Sequence, residues 1–218
     1  MDIKALAQKY ESYIIERRRY FHAHPELSFK EWETTNALVA EFEKMGMEIQ
    51  TFPDYPGMIA TLDTGKPGRT IMLRADIDAL PVKEGTGLEF ASQNEGVMHA
   101  CGHDNHIAML LGAAKILLEK KDELKGKVKF LLQSGEEMAC GAKYYVDHNI
   151  LDGVDAIFGQ HIWGTLDAPY VCVAPGNRMA SCDNFTIRVK GLQSHGSAPQ
   201  DGHDAIVAAS AIVMALET

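Results

Sequence analysis

Four short segments of the chain contain residue types that can bind cations or transfer protons. They are residues 74–81 (RADIDALP), 98–104 (MHACGHD), 133–137 (QSGEE) and 159–161 (GQH). Thiolate, imidazole and carboxylate groups are the usual protein ligands of zinc-like divalent cations. Two such cations about 3.5–4 Å apart can share ligands, polarise a carbonyl and activate water. Of two adjacent glutamates, one can bind metal while the other accepts a proton from that water.

Each segment also has a structural interpretation, which is the commoner one when the segment is taken alone. A Cys-Gly-His triplet is mostly structural, and Glu136 and Glu137 could lie in a solvated loop. His161 could be a buried histidine with a satisfied ring, and Asp76 and Asp78 could be turn or cap residues. A shared site is favoured because independent candidates occupy compatible positions in the predicted topology.

Three of the four segments follow predicted β-strands, which cover residues 70–74, 127–132 and 154–159. In open α/β sheets, ligands bind at the carboxyl ends of the strands, so these segments are expected to face one crevice. Cys101 and His103 stand just before a predicted helix over residues 104–120. That helix has a regular apolar stripe, and Asp104 is a suitable cap for it.

Further helices are predicted over residues 3–21, 30–45 and 138–148, and further strands over 47–52 and 57–62. This alternation predicts an α/β fold with a mixed, mostly parallel sheet and helices on both faces. Towards the end the pattern changes to one strand, 183–190, and one helix, 203–217. Since a lone strand and helix cannot bury both faces, we expect one domain over 1–178 and the beginning of an α+β domain over 179–218, with more chain needed to complete it.

Composition excludes several classes of protein. The 218 residues include 21 Lys and Arg against 30 Asp and Glu, a net charge of −9, which argues against nucleic-acid binding. No apolar run is long enough for a bilayer, and the first residues lack a signal-peptide core, so a cytoplasmic protein without membrane contact is expected. Four cysteines follow no disulfide or zinc-ribbon spacing. Cys140, Cys172 and Cys182 are expected to be reduced and to fill space.

Several motifs resemble, in the same order, those of M20 metallo-amidohydrolases, in the branch of hippuricases, N-acyl amino acid amidohydrolases and auxin-conjugate hydrolases. They cover residues 18–28 (RRYFHAHPELS), 74–81, 99–104, 136–137, 154–161 (VDAIFGQH) and 194–199 (SHGSAP). The resemblance spans nearly the whole chain. It implies a zinc-exopeptidase-like catalytic domain, a lid or dimerisation domain, and hydrolysis of the amide bond of N-acyl amino acids or related conjugates.

The resemblance also implies a role for each matched residue. Two divalent cations, Mn²⁺ or Zn²⁺ with Co²⁺ or Ni²⁺ as substitutes, would be held by Cys101, His103, Glu137 and His161. Glu136 would be the general base, and Asp78 would orient a metal ligand. His195 in the lid would reach across a homodimer into the partner's site and stabilise the oxyanion. The other histidines of these motifs are interpreted as structural: His22, His24, His99 and His106.

The chain departs from the family pattern at a few positions. Ser134 and Gly135 stand where the family commonly has Pro-Ala, and Gly135 loosens the backbone just before the paired glutamates. Gln160 replaces an apolar residue and Cys140 a small one. The family's returning segment, with its last histidine ligand, is absent, so this chain by itself is expected to bind metal weakly and to be inactive.

Three rival interpretations stay open. The nearest is an M20 dipeptidase or aminopeptidase, although the Cys-Gly-His motif in place of His-x-Asp favours the amidohydrolase branch. A second is a thiol enzyme in which His103 activates Cys101, which would leave the paired glutamates without a function. The third is a protein that keeps the fold and binds metal without catalysis.

Overall fold

The computed structural model describes residues 2–181 and 183–216. Its internal contacts divide the chain after Val171 into two compact units, and each unit is described by itself. This division lies near the predicted domain boundary after residue 178. The roles of the two domains remain predictions.

The first unit is built on a five-stranded sheet with the order β1-β2-β4-β3-β5. Its strands are β1 (Glu48–Phe52), β2 (Tyr55–Asp63), β3 (Thr70–Asp76), β4 (Lys127–Gln133) and β5 (Ala156–Gly159). Strand β2 is antiparallel to β1 and β4, whereas β3 is parallel to β4 and β5. Four strands therefore point the same way and only β2 is reversed, which confirms the mixed, mostly parallel sheet.

Helices cover both faces of this sheet, as predicted. They are α1 (Ile3–Ala23), α2 (Trp32–Lys44), α3 (His103–Glu119) and α4 (Gly141–Asp147). Along β4, Phe130 and Leu132 pack into the cluster that contains α2 and α3 residues, while Leu131 packs with Tyr145 of α4 on the opposite face. A strand buried on both sides needs such a continuous apolar run.

Two local predictions need correction. Asp104 does not cap α3, because Gly102 occupies the cap position and Asp104 lies inside the first turn, wholly buried. The helix predicted over 138–148 is shorter, since a 3₁₀ turn over Glu136–Met138 precedes α4. A glycine N-cap with φ of 91° and a 3₁₀ turn both re-aim the chain locally, and periodicity cannot predict either.

The second unit contains one α-helix among its described residues, α5 (Ala205–Leu216), and a 3₁₀ turn over Pro199–Asp201. The strand predicted over 183–190 does not form; a single bridge joins Leu192 to His203 instead. A strand requires a neighbouring backbone to pair with, and none is placed beside 183–190 in the described part of this unit.

Cys101, Cys140 and Cys172 are free thiols, whereas Cys182 lies outside the described residues. Cys140 and Cys172 are exposed, so the prediction that they fill interior space is wrong for both. Within residues 2–181 and 183–216, no helix is both long enough and apolar enough to cross a bilayer.

Candidate metal centre

The carboxyl ends of β3 and β4 lie side by side, because Asp76 pairs with Gln133 in the parallel register. The segments that follow these strands converge with the N-terminus of α3. Donor atoms of Cys101, His103 and His161 lie within 4.8 Å of one another, and so do those of His103, Glu136 and Glu137. Residues up to 60 positions apart in sequence are thereby brought to one place.

His103 stands at the centre of this group and is fully buried. Its Nδ1 lies 2.8 Å from the carbonyl oxygen of Asp78 and 3.2 Å from Asp78 Oδ1. Two acceptors on this side mean that Nδ1 carries the hydrogen and that the Nε2 lone pair faces the cavity. Nε2 lies 3.7 Å from a carboxylate oxygen of Glu136 and 3.7 Å from one of Glu137.

Several charges act on His103. Burial by itself lowers its pKa, but the hydrogen bond with Asp78 and the negative charges of Asp76, Asp78 and Glu137 outweigh burial and raise the pKa above its ordinary value. The imidazole therefore sits in a negative field that stabilises positive charge at this position.

Asp78 links two parts of the centre. Its Oδ2 accepts hydrogen bonds from Ser28 Oγ at 2.7 Å and from the backbone N–H of Glu137 at 2.9 Å. Burial opposes the charged form, but the hydrogen bonds from His103, Ser28 and Glu137 hold the pKa of Asp78 below its ordinary value. As a carboxylate, Asp78 fixes both the ring of His103 and the backbone of Glu137.

Cys101 and His161 close the other side. His161 Nε2 lies 3.3 Å from Cys101 Sγ, and its Nδ1 is hydrogen-bonded to the carbonyl oxygen of Ile162. Burial, followed by the charges of Glu137 and Glu136, raises the pKa of Cys101 to about 12. The thiol is therefore protonated without a cation, which disfavours a nucleophilic cysteine, and only a nearby positive charge would produce the thiolate.

Two buried atoms test whether the centre fits a metal. Among the described residues, neither His103 Nε2 nor Glu137 Oε1 has a hydrogen-bond partner, and buried polar atoms rarely stay unpaired. These atoms are 3.7 Å apart. Ligand atoms about 2.1 Å from one tetrahedral cation lie roughly 3.4 Å apart, so the spacing suits a shared cation. The set of sulfur, imidazole and carboxylate donors fits zinc-like dications.

His106 lies beside the centre, and the donor atoms of Asp76, His103 and His106 also lie within 4.8 Å of one another. However, both ring nitrogens of His106 are engaged. Nδ1 is hydrogen-bonded to Asp76, and Nε2 accepts the backbone N–H of Ile162 at 3.0 Å. This arrangement supports the chain next to His161 and agrees with the structural interpretation of His106.

His195 belongs to the second unit, where its ring is exposed and Nδ1 lies 2.9 Å from Ser197 Oγ. Its catalytic role stays a prediction. In the first unit, two residues that were not among the predicted site residues also touch the loops of the centre, Ser28 and Glu31. Ser28 ends the matched motif 18–28, but nothing in the sequence indicates its contact with Asp78, and Glu31 lies beyond that motif.

The chain matches the model of a protein family described as peptidase family M20/M25/M40 over residues 72–216. Among curated proteins, it is 41% identical to an N-acyl-L-amino acid amidohydrolase of Geobacillus stearothermophilus, covering 99% of this chain and 59% of that protein. It is also 41% identical to thermostable carboxypeptidase 1 of Saccharolobus solfataricus, covering 94% of this chain and 53% of that protein. The chain thus spans little more than half the length of these relatives.

Solved structures agree with this relationship. A putative aminohydrolase from methicillin-resistant Staphylococcus aureus has a TM-score of 0.85 and 41% identity, covering 100% of this chain and 59% of that one. The YXEP protein of Bacillus subtilis, described as a dinuclear metal-binding peptidase from the M20 family, has a TM-score of 0.70 and 44% identity, covering 73% of this chain and 45% of that one. The chain therefore belongs to peptidase family M20/M25/M40.

Proposed function

We propose that this chain is the metal-binding part of a hydrolase that cleaves the amide bond of N-acyl amino acids or related conjugates. In this proposal, two divalent cations, Mn²⁺ or Zn²⁺, are held by Cys101, His103, Glu137 and His161. The supporting observation is a pair of buried potential metal-ligand atoms, His103 Nε2 and Glu137 Oε1, which have no hydrogen-bond partner within residues 2–181 and 183–216. The amidohydrolase name of the Geobacillus relative supports the substrate class.

The two adjacent glutamates differ in a way that supports separate roles. Glu137 has a buried Oε1, and its backbone N–H is held by Asp78. Burial raises the pKa of Glu137, so a nearby cation would stabilise its charged form, as expected of a metal ligand. The Glu136 side chain is 40% exposed, so it can meet water and substrate while its Oε2 stays 3.7 Å from His103 Nε2. Glu136 is the proposed general base, which takes a proton from water and delivers it to the leaving amine nitrogen.

When bound, the cations would polarise the substrate carbonyl and make water more acidic. The chain's own contribution is to orient the ligand side chains. Asp78 holds the His103 ring with Nε2 facing inwards, and the carbonyl of Ile162 does the same for His161. His195 is proposed to stabilise the developing oxyanion across a homodimer, as the resemblance implies.

A second candidate is hydrolysis of short peptides, which the carboxypeptidase name of the Saccharolobus relative favours. Assays of N-acetyl amino acids against dipeptides separate the two reactions, and the same assays test the expectation that the chain alone is inactive. A chelator should abolish any hydrolysis, whereas mild alkylation of the metal-loaded protein should not. Loss of activity on alkylation and its survival of chelation would favour the thiol enzyme.

Calorimetric titration of Mn²⁺ or Zn²⁺ into wild type, Glu136→Ala and Glu137→Ala tests the division of roles directly. We expect metal binding to be lost in Glu137→Ala and kept in Glu136→Ala, because only Glu137 is a proposed ligand. Equal loss in both variants would contradict the division. Absence of binding in the wild-type chain would contradict the proposed function.

A further inference from the structure

Glu31 has a buried carboxylate that is not used by its own helix. It occupies the N-cap position of α2, yet its side chain makes no capping hydrogen bond there. The free N–H groups of Glu33 and Thr34 are instead accepted by the Glu26 carboxylate, at 3.3 Å and 2.7 Å. Glu31 is therefore free to act elsewhere, although caps are normally supplied by the residue at this position.

The carboxylate of Glu31 instead holds the turn that precedes the paired glutamates. Its Oε2 accepts the hydroxyl hydrogen of Ser134 at 2.7 Å, and its Oε1 accepts the backbone N–H of Gly135 at 2.9 Å. Glu31, Ser134 and Gly135 are all buried. Both carboxylate oxygens of Glu31 thus accept hydrogen bonds from the two residues directly before Glu136.

This arrangement costs free energy, because both donors are uncharged and the carboxylate is 0% exposed. Burial raises the pKa of Glu31 to about 7, although the hydrogen bonds from Ser134 and Gly135 act in the opposite direction. An apolar residue in the same space would leave the Ser134 hydroxyl and the Gly135 N–H buried without these acceptors. A buried acid at this position is better explained by what it holds than by the stability of the fold.

Phe29 locks the same turn from a second side. Gly135 has φ of 70°, and a Cβ added to it would lie 2.2 Å from Phe29 Cε1. Phe29 itself has φ of 64°, a conformation that a bulky residue adopts only when its surroundings enforce it. A residue with a Cβ at position 135, such as alanine, would therefore clash with the ring of Phe29.

Ser28 completes the contact. Its hydroxyl donates to Asp78, and Asp78 accepts the backbone N–H of Glu137. Segment 28–31 is therefore linked to Glu136 and Glu137 by two routes. Glu31 holds the Ser134–Gly135 turn that precedes the pair, and Ser28 holds Asp78, which accepts the Glu137 N–H. Positions that orient a ligand from one layer further out commonly change metal affinity by about 10- to 100-fold when they are mutated.

We propose that Glu31 is a positioning residue, whose carboxylate, together with Phe29, fixes the Ser134–Gly135 turn and so sets the directions of Glu136 and Glu137. Glu31 acts through the turn and contacts neither substrate nor cation. The inference rests on the proposed metal centre for its functional meaning, but the anchoring of the turn can be measured without metal.

The main test compares Glu31→Ala with Glu31→Gln. Glutamine can still accept the Gly135 N–H through its oxygen and can donate to Ser134 Oγ through its amide, whereas alanine can do neither. Glu41→Ala is a matched control, since Glu41 is also a buried acid, but its partners Tyr13, Arg17 and Lys44 lie on α1 and α2.

Two readouts are taken on the full chain: Mn²⁺ affinity by calorimetry and hydrogen exchange of the Gly135 amide without metal. In Glu31→Ala we expect affinity to fall by at least about tenfold and the Gly135 amide to lose protection. Glu31→Gln should keep both the Mn²⁺ affinity and the protection of the Gly135 amide near wild type, and Glu41→Ala should change neither readout. Wild-type affinity in Glu31→Ala, unchanged exchange at Gly135, or an equal affinity loss in Glu41→Ala would each overturn the proposal.

Failure of the metal centre itself gives a different result. If the wild-type chain binds no Mn²⁺, the proposed function fails, while exchange at Gly135 still decides whether Glu31 anchors the turn. If Glu31→Ala does not fold, Ser134→Ala removes one of the two hydrogen bonds without touching Glu31. It should weaken Mn²⁺ binding in a folded protein, and unchanged binding there would overturn the proposal.

The contact with Phe29 gives an independent check. Gly135→Ala should weaken Mn²⁺ binding by about tenfold or more, and the added change Phe29→Ala should recover part of that loss by making room for the methyl group. Additive losses in the double variant would contradict the locking contact between Phe29 and Gly135.

Discussion

His103 and Asp104 are neighbours at the start of α3, yet they belong to two clusters of buried charged groups. The acids have counter-charges in one cluster and outnumber them in the other. The Asp104 cluster consists of Arg18, His22, Glu84 and Asp104. Asp104 Oδ2 lies 2.8 Å from Arg18 Nε and 2.9 Å from His22 Nδ1, and His22 Nε2 lies 3.2 Å from Glu84. Here the chain supplies cations for its own buried acids.

Around His103, by contrast, acids exceed the cations that the chain supplies. Four carboxylates approach this ring or its immediate partners, from Asp76, Asp78, Glu136 and Glu137. Arg74 lies against Asp76, and the buried Glu137 Oε1 is left without a partner among the described residues. The difference between the two clusters therefore lies in charge: the chain's own cations face the acids around Asp104, whereas the acids around His103 outnumber them and suit an added cation.

The sharpest test of this difference replaces one histidine of each cluster with alanine, in separate variants. His103→Ala should reduce Mn²⁺ affinity by at least roughly a thousandfold, about 4 kcal/mol at 1.4 kcal/mol per tenfold change, because His103 offers a ligand atom within 4.8 Å of one from each other proposed ligand. His22→Ala is the control and should leave affinity unchanged while lowering stability. Calorimetry on both variants measures this, and equal losses of affinity would abolish the distinction between the clusters.

The pH dependence of stability provides a second test, on Glu31, a buried acid whose carboxylate is hydrogen-bonded to uncharged groups. Burial raises the pKa of Glu31 from about 4.5 to about 7. The folded state then binds more protons than the unfolded state between these values, so stability falls as pH rises through this window. Glu31→Gln cannot titrate. At about 1.4 kcal/mol per pKa unit, it should gain about 2–3 kcal/mol relative to wild type between pH 4.5 and 7.5.

Urea unfolding at several pH values measures this difference. For comparison, Glu41→Gln should not reproduce it, because interactions with Tyr13, Lys44 and Arg17 outweigh burial and hold the pKa of Glu41 below its ordinary value. A difference between Glu31→Gln and wild type that stays constant with pH would show that Glu31 does not titrate in this range.

Removing the positive charge of Arg18 from the Asp104 cluster should destabilise the fold and leave the proposed metal centre intact. Arg18→Met keeps most of the side-chain volume but removes one of the two ion pairs described for Asp104, whose side chain is 0% exposed, and leaves the pair with His22. We expect a loss of about 2 kcal/mol, because an acid buried without its counter-charge is costly. Thermal unfolding measures the loss. A fall in Mn²⁺ affinity as large as the loss of stability would mean that the clusters are coupled.

The smallest expected effect concerns the choice of metal. Cys101→Ser replaces the soft sulfur donor with a hard oxygen and should lower Zn²⁺ affinity by about tenfold while changing Mn²⁺ affinity less. Parallel titrations with the two cations measure the ratio. Cys140→Ser is the control, since Cys140 is exposed. An unchanged preference in Cys101→Ser would remove the thiol from the proposed ligand set.

Much of the first unit could be predicted because its signals are local. Apolar periodicity located α1, α2 and α3 to within three residues at each end, and apolar runs located the strands. The ends of β3 and β4 and the start of α3 then placed the candidate ligands at one edge of the sheet. The strand predicted over 183–190 failed because alternation shows only which faces a strand would have, not whether a partner strand is present.

The sequence by itself determined which side chains could bind a cation and which elements carry them, since residue chemistry and hydrophobic period are properties of short stretches. Only the tertiary structure decided how each acid is used. Asp104 looked like a helix cap and became the partner of Arg18, whereas Glu31 occupied a cap position and became the anchor of Gly135. Charge balance and hydrogen-bond partners depend on groups distant in sequence, and these meet only when the chain has packed.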